Sequence, residues 1–261
     1  MNVQPKSVAR VLLLGGTTQA TALAARLATD PRFAAVLSLA GRTAHPAASA
    51  LSVRVGGFGG IEGLAQFIGA ERIDLVVDAT HPFAAQISAN AIAACDATNC
   101  RLIALERPPW VHQEGDRWQL FPGAGEAIAA LPDEPTRVFS ALGRLSLHEL
   151  EAAPQHHYII RLIDPPLRPL ALPNVTIIQG RGPFKTADDI ALFGEHGVTF
   201  VLAKNAGGAA SISKIEAARA LGLTVMMIGR PKIPARPTVA TIDAAWLEIT
   251  AHATPSADRG V

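Results

Sequence analysis

The stretch Arg10-Val11-Leu12-Leu13-Leu14-Gly15-Gly16-Thr17-Thr18-Gln19-Ala20 joins an apolar block to a glycine turn and the start of an amphipathic segment. The unbroken apolar run from Val11 to Leu14 predicts a strand covered on both faces. Gly15 and Gly16 end it in a tight turn. Beyond the turn, Ala20, Leu23, Ala24, Leu27 and Ala28 step at i, i+3, i+4, i+7 and i+8, one face of a helix. Strand, glycine turn and helix in this order read as a dinucleotide fingerprint in relaxed form. Gly15 takes the place of the first glycine, Thr17 of the second and Ala20 of the third. The short side chain at 20 still admits close packing of helix on strand. Backbone N–H groups at the helix start, with the macrodipole behind them, suit a diphosphate. Gly15, Gly16, Thr17, Thr18 and Gln19 are therefore expected to bind a nucleotide cofactor, with the two threonine hydroxyls as added donors.

The alternation continues outward. Apolar strands are predicted at 35–40, 53–55, 73–79 and 101–105. Between them Ile61, Leu64, Ala65 and Ile68 keep helical spacing, and a helix is predicted over 84–97. Prolines at 108, 109, 122, 132 and 135 then break the pattern, and Trp110 and Trp118 flank Gly115-Asp116 as in a small hairpin. This stretch is the expected inter-domain connection. A second alternation follows, with strands at 137–141, 158–163, 175–179, 198–203 and 224–228 and helices at 187–195, 213–221 and 243–251. Strands alternating with amphipathic helices mean βαβ units and parallel sheets, with right-handed crossovers covering both faces. The expected fold is α/β, two Rossmann-like doubly wound parallel-sheet domains. Residues 1–131 are expected to hold the nucleotide and 132–252 the substrate, with a flexible tail at 253–261.

The chain has 261 residues, 49% of them hydrophobic and 17% charged. That balance excludes intrinsic disorder for the body of the chain. No apolar run approaches the ~20 residues of a spanning helix, so no membrane role is expected. Lys and Arg number 23 against 22 Asp and Glu. Nucleic-acid binders carry a clear basic excess, so no nucleic-acid partner is expected. Cys95 and Cys100 are too few for a disulfide framework and lack the further ligands of a zinc site, so no metal is expected. They read as buried thiols of a reducing compartment. The polar stretch before the first strand is unlike a secretory signal, and a cytoplasmic location is expected.

Two further strand ends sharpen the site. NAD-selecting domains place an acid about 20 residues beyond the fingerprint, on the ribose 2′-OH. Here that place holds Gly41-Arg42-Thr43. A guanidinium pairs with a 2′-phosphate and the Thr43 hydroxyl adds to it, which favours NADP over NAD. Asp78-Ala79-Thr80-His81-Pro82-Phe83 closes the fourth strand, on the edge that faces the ligand crevice of a doubly wound sheet. Gly41, Arg42, Thr43, Gly57, Ala79, Thr80 and His81 join the expected cofactor contacts. His81 is also a candidate for moving a proton.

Gly15-Gly16-Thr17, Gly41-Arg42-Thr43, Asp78-Ala79-Thr80-His81-Pro82-Phe83, Gly182-Pro183-Phe184, Lys204-Asn205-Ala206-Gly207-Gly208 and Gly229-Arg230-Pro231 together resemble the precorrin-6A reductase family. The blocks fall in the same order over nearly the whole chain, with Ala206 where a serine is more usual. The resemblance implies an enzyme of cobalamin biosynthesis. It would reduce one double bond of the tetrapyrrole precorrin-6A with NADPH, giving precorrin-6B, in a cleft between its two domains. A polycarboxylate substrate needs cations. Arg144, Arg181, Lys185, Lys204 and Arg230 lie beside glycine-rich turns of the second half and are the expected anchors, with Asn205 and Gly207 at the same strand end as Lys204. An amine near its ordinary pKa of about 10.4 is a poor acid at neutral pH, so Lys204 is expected to anchor rather than to protonate. His81 and Lys204 are the two candidates for a catalytic role. Two alternatives stand beside this reading: reduction of the cobalt-containing ring, and a non-catalytic NADP-sensing module that needs no second ligand site. A monomer or small homo-oligomer is expected. The Tyr-Lys pair of short-chain dehydrogenases is missing, since the single tyrosine is Tyr158 and Leu162 stands four residues on.

Overall fold

A computed structural model describes residues 8–41 and 48–253. The chain divides into two compact units. One takes the residues up to Arg107 and those from Lys232 onward, and the other is Pro108–Pro231. The first opens with β1 (Ala9–Leu14), α1 (Thr18–Ala28), β2 (Phe33–Leu39), β3 (Ser52–Val55), α2 (Ile61–Ala70), β4 (Leu75–Asp78), α3 (Ala85–Thr98) and β5 (Arg101–Leu105). The second begins with β6 (Arg117–Phe121), α4 (Ala124–Ala129), β7 (Arg137–Ser140), a 3-10 segment (Arg144–Ala152) and β8 (His157–Leu162). It continues through β9 (Val175–Gln179), α5 (Thr186–Glu195), β10 (Phe200–Lys204), α6 (Ser213–Ala220) and β11 (Thr224–Ile228). The chain then returns to the first unit as β12 (Thr238–Val239) and α7 (Ile242–Ala253).

Each unit has one six-stranded sheet, ordered β12-β5-β4-β1-β2-β3 and β6-β11-β10-β7-β8-β9. All the pairings in both are parallel. Both sheets have the Rossmann order, with the sixth strands traded. β6, next in the chain after β5, completes the second sheet, and β12, next after β11, completes the first.

The layering follows from the strand period, which sends alternate side chains to opposite faces. Val11 and Leu13 of β1 pack with Leu23, Leu27, Ala245 and Ile249 of α1 and α7. Leu12 and Leu14 pack on the other face with Leu64, Ile68, Ala91 and Ala94 of α2 and α3. A run apolar at every position therefore needs helices on both sides. In the second sheet Phe139, Ile159, Val201 and Met227 pack on Phe193 and Ile215 of α5 and α6. Burying one side chain of this size contributes roughly 1.5–3 kcal/mol, more than a typical helix cap.

The expected boundary at 131/132 is displaced to 107/108, and residues from Lys232 on belong with the first unit. The proline-rich stretch is thus part of the second unit. The expected hairpin around Gly115-Asp116 is also corrected. Trp118 lies on β6, which pairs in parallel with β11. Only a turn remains there, closed by Asp116 N–H donating to Gln113 O at 3.1 Å. β6 escaped the sequence reading because it is an edge strand whose side chains are mostly exposed, so it carries no apolar run. β12 escaped because two residues have no period. It is fixed by backbone bonds, Ala104 N–H to Pro237 O at 2.8 Å and Glu106 N–H to Val239 O at 2.9 Å. Of the expected tail, Ala253 still belongs to α7, and 254–261 lie outside the described residues.

Candidate active site

β1 and β4 are neighbours at the point where the strand order of the first sheet reverses. Ligands of such sheets bind outside the carboxyl ends of the strands at that point. Thr17 joins the two strand ends. Its side-chain oxygen accepts the Ala20 N–H at 3.1 Å, capping α1, and its hydroxyl donates to the Ala79 carbonyl oxygen at 2.8 Å. Gly15 N–H donates to Ser38 O at 2.9 Å. A Cβ on Gly15 would stand 2.5 Å from Leu37 Cδ1, so a larger residue there would push that buried side chain aside. At Gly16 nothing lies within 4 Å of where a Cβ would be. α1, like α3, has no acidic residue in its first turn, whereas α2, α4, α5, α6 and α7 carry Glu62, Glu126, Asp188 with Asp189, Glu216 and Asp243 there. The partial positive charge at the start of α1 is therefore left uncompensated, as an anion site requires. These residues fit a dinucleotide diphosphate. Thr18 is exposed at this point, while the Gln19 amide turns away to donate to Ala240 O at 3.2 Å.

Around that centre the other expected contacts are dispersed. Gly41, two residues past β2, has φ of 71°. Arg42 and Thr43 lie outside the described residues. Gly57 faces open space. Arg54 of β3, not singled out from the sequence, donates to Gly56 O at 2.6 Å and Gly57 O at 2.7 Å and stacks 3.8 Å from the Phe58 ring, fixing that turn. At the end of β4, Ala79 is buried and its N–H donates to Leu14 O at 2.9 Å. Thr80 donates to Asp78 Oδ1 through both its N–H, at 3.2 Å, and its hydroxyl, at 2.7 Å. His81 Nδ1 accepts the Phe83 N–H at 3.2 Å, so the neutral ring carries its proton on Nε2. The sequence reading also passed over Arg236. Its Nη2 lies 2.8 Å from Glu106 Oε2 and 3.5 Å from Asp78 Oδ2. It stands in a proline-flanked stretch with no periodicity to mark it.

In the second sheet the order reverses between β7 and β10. The bridge here is Lys204, whose ammonium donates to Leu142 O at 2.8 Å and to the Ser146 hydroxyl at 3.1 Å. It thereby shapes the turn that carries Arg144. Asn205 pairs both ways with the Trp110 backbone, accepting its N–H at 2.7 Å and donating to its carbonyl at 3.0 Å. Trp110 Nε1–H donates to Gly208 O at 3.0 Å. Gly207 has φ of 69°, and a Cβ there would overlap the Pro108 carbonyl oxygen. Arg230 donates from Nε to Asn205 O and from Nη2 to Ala206 O, both at 3.0 Å. Asn205, Gly207 and Arg230 thus build the loop after β10. Arg144 is half-buried at the end of β7, and Arg181 and Lys185 are exposed beyond β9. All the expected substrate residues lie at the carboxyl edge of this sheet.

Tyr158 is fully buried, donates its hydroxyl to Ala153 O at 3.0 Å, and burial pushes its pKa up to about 12. It stands inside the core, not at a strand end. His157 Nε2 lies 2.9 Å from the Thr176 hydroxyl, while His156 is buried, so the two rings share no site. Among the described residues no group of three or more His, Cys, Asp or Glu is placed to hold a metal ion, and no helix is long and apolar enough to cross a membrane.

Two all-parallel six-stranded sheets with helices on their faces, and an acid-free helix start at one switch point, define a protein of two Rossmann-like α/β domains. The chain belongs to the family described as Precorrin-6x reductase CbiJ/CobK, whose model matches residues 10–249. The Precorrin-6A reductase of Rhodobacter capsulatus is 51% identical over 253 residues, which cover 97% of this chain and 99% of that one. That of a Sinorhizobium species is 49% identical over 247 residues, covering 95% of both. The solved structure of CobK precorrin-6A reductase matches with a TM-score of 0.89 at 50% identity, covering 96% of this chain and 100% of that chain.

Proposed function

We infer that this protein reduces precorrin-6A to precorrin-6B in cobalamin biosynthesis, with NADPH as the reductant. The observation that carries the cofactor assignment is the acid-free start of α1, held against the end of β4 by Thr17. Bound there, NADPH supplies the hydride. The chain's own residues do the rest. Gly15, Gly16, Thr17 and Thr18 present backbone and hydroxyl donors to the diphosphate. Arg42 and Thr43 are proposed to hold the 2′-phosphate, because they stand in the sequence where NAD-selecting domains carry an acid. Arg144, Arg181 and Lys185 pair substrate carboxylates, and Lys204, Asn205, Gly207 and Arg230 hold the loops that present them. Holding two reactants in register is worth on the order of 7–11 kcal/mol in favourable cases, so positioning is the protein's main contribution. His81 is proposed over Lys204 for proton transfer, because its Nε2 carries a proton at the strand end while the Lys204 ammonium is engaged by Leu142 and Ser146. The two free thiols, Cys95 and Cys100, suit a reducing cytoplasm.

Relatives at about half identity carry the cobalt-free substrate in their names, which sets this reading above the cobalt-containing ring. The deciding assay mixes the protein with NADPH and precorrin-6A and follows the tetrapyrrole and nicotinamide absorbances. Parallel arms use NADH, and the cobalt-containing ring. Turnover is expected with NADPH and precorrin-6A, and slower turnover in both other arms. NADPH binding without any turnover would leave the sensing module as the reading.

A further inference from the structure

We propose that Arg236 is a positioning residue for the cofactor turn, acting through Asp78; the inference rests on the reading of the first unit as the NADPH site. Arg236 lies just ahead of β12, on the segment that returns to the first unit after the whole of the second. Its side chain is only 8% exposed and stands between Asp78, at 1%, and Glu106, at 22%. Glu106 alone would neutralise the guanidinium and pin β12 to β5. The second carboxylate is what calls for a reason.

Asp78 is the last residue of β4. Its Oδ1 takes both donors of Thr80, and so sets the direction in which the chain leaves toward His81. The residue between them, Ala79, offers its carbonyl oxygen to Thr17 in the turn after β1. The orientation of the Asp78 carboxylate therefore fixes both sides of the switch point. Its other oxygen, Oδ2, is buried without a hydrogen bond, and so is Arg236 Nε. At 3.5 Å the contact of Asp78 Oδ2 with Arg236 Nη2 is an ion pair, not a good hydrogen bond. Buried polar atoms left unpaired are costly and concentrate where function demands them. Electrostatic attraction to Arg236 is what keeps the Asp78 carboxylate from rotating and releasing Thr80.

The test uses the full-length protein with Arg236→Gln, which keeps a donor for Glu106 but loses the charge facing Asp78. Arg236→Lys restores the charge. NADPH affinity is measured by fluorescence titration, beside the thermal midpoint, and Thr80→Val is combined with Arg236→Gln. Arg236→Gln is expected to weaken NADPH binding roughly tenfold, a mid-range coupling for residues of one network. Arg236→Lys should recover most of that loss. The double variant should bind little worse than the weaker single variant, because both changes release the same turn. If Arg236 only pins β12, Arg236→Gln will lower the thermal midpoint with NADPH affinity intact, or its effect will multiply with that of Thr80→Val. Either result overturns the proposal alone. A wild-type protein that does not bind NADPH overturns the functional reading as well. Should Arg236→Gln not fold, Asp78→Asn takes its place, since it keeps Oδ1 as the Thr80 acceptor and loses the charge facing Arg236, and intact NADPH affinity in that variant overturns the proposal.

Discussion

Thr17 shows how much one side chain carries at the switch point. It caps α1 and ties the turn after β1 to the end of β4. Thr17→Val keeps the shape and loses both bonds. It is expected to cost about 1–2 kcal/mol in urea unfolding and to weaken NADPH binding, while Thr17→Ser keeps most of both. A variant with unchanged NADPH affinity would remove Thr17 from the site. His156 matters through burial instead. Its ring is fully buried, Nδ1 accepts the Thr136 N–H at 3.3 Å, and burial holds its pKa below the ordinary histidine value. His157 is lowered too, by burial first and then by the nearby Arg137 and His196 charges. A histidine kept neutral in the fold takes up its proton more readily in the unfolded chain. Its stabilising contribution is whole above about pH 6.5 and is lost as pH falls through the lower folded-state value. Urea midpoints should therefore drop between about pH 7.5 and 5, with a shallower drop in His156→Gln. An equally steep drop in that variant would clear His156 of the effect.

At the scale of elements, the second unit is braced by an ion pair between two of them and a hydrogen bond from a third. Arg161 on β8 pairs with Asp189 on α5, with the two side chains 9% and 1% exposed. Ser213 at the start of α6 donates to Asp189 at 2.7 Å. The Arg161 guanidinium also stacks 4.9 Å from Phe139 and 4.2 Å from Phe184. Phe184 stands between Arg181 and Lys185, so the pair props the turn on which two proposed carboxylate anchors sit. Arg161→Met leaves Asp189 buried and unpaired, at an expected cost of about 3–5 kcal/mol. Ser213→Ala removes one hydrogen bond and should cost about 1–3 kcal/mol, since its acceptor is a charged group. Kinetically, Arg161→Met should raise the KM for the tetrapyrrole more than it lowers kcat, with NADPH affinity unchanged. A fall in kcat alone would mean that Arg161 supports the chemical step rather than binding.

For the whole molecule, the traded sixth strands decide what can fold alone. Residues 108–231 contain every strand of the second sheet. A fragment of 1–132, cut one residue past the boundary expected from the sequence, lacks β12 and α7 and carries β6 away from its partner β11. It also loses Ala245 and Ile249, both fully buried in the core of the first unit. The 108–231 fragment is expected to unfold cooperatively in urea, and the 1–132 fragment to show no cooperative transition. Cooperative unfolding of 1–132 would mean that the returning segment is dispensable to the first unit.

The sequence by itself determined the layering and most of the order of elements. Runs such as Val11–Leu14 and Val201–Ala203, apolar at every position, leave no solvent-facing side, so helices had to cover both faces. It also placed the glycine turn after β1 and the start of α1, because glycines after an apolar run and a threonine ahead of a helical period are local signals visible in the residues themselves. Three strands were read to the residue: β5, β9 and β11. Only the tertiary structure decided which sheet β6 and β12 join, since one is a mostly exposed edge and the other two residues long, and pairing with a distant partner defines both. It also decided what Lys204 and Arg236 touch within the chain. Nothing in the sequence separates a lysine that meets a ligand from Lys204, which closes its own strand end, or marks Arg236 as the partner of Asp78. Both depend on which atoms the fold brings within about 3 Å, and a hydrogen bond is a matter of that distance, not of position along the chain.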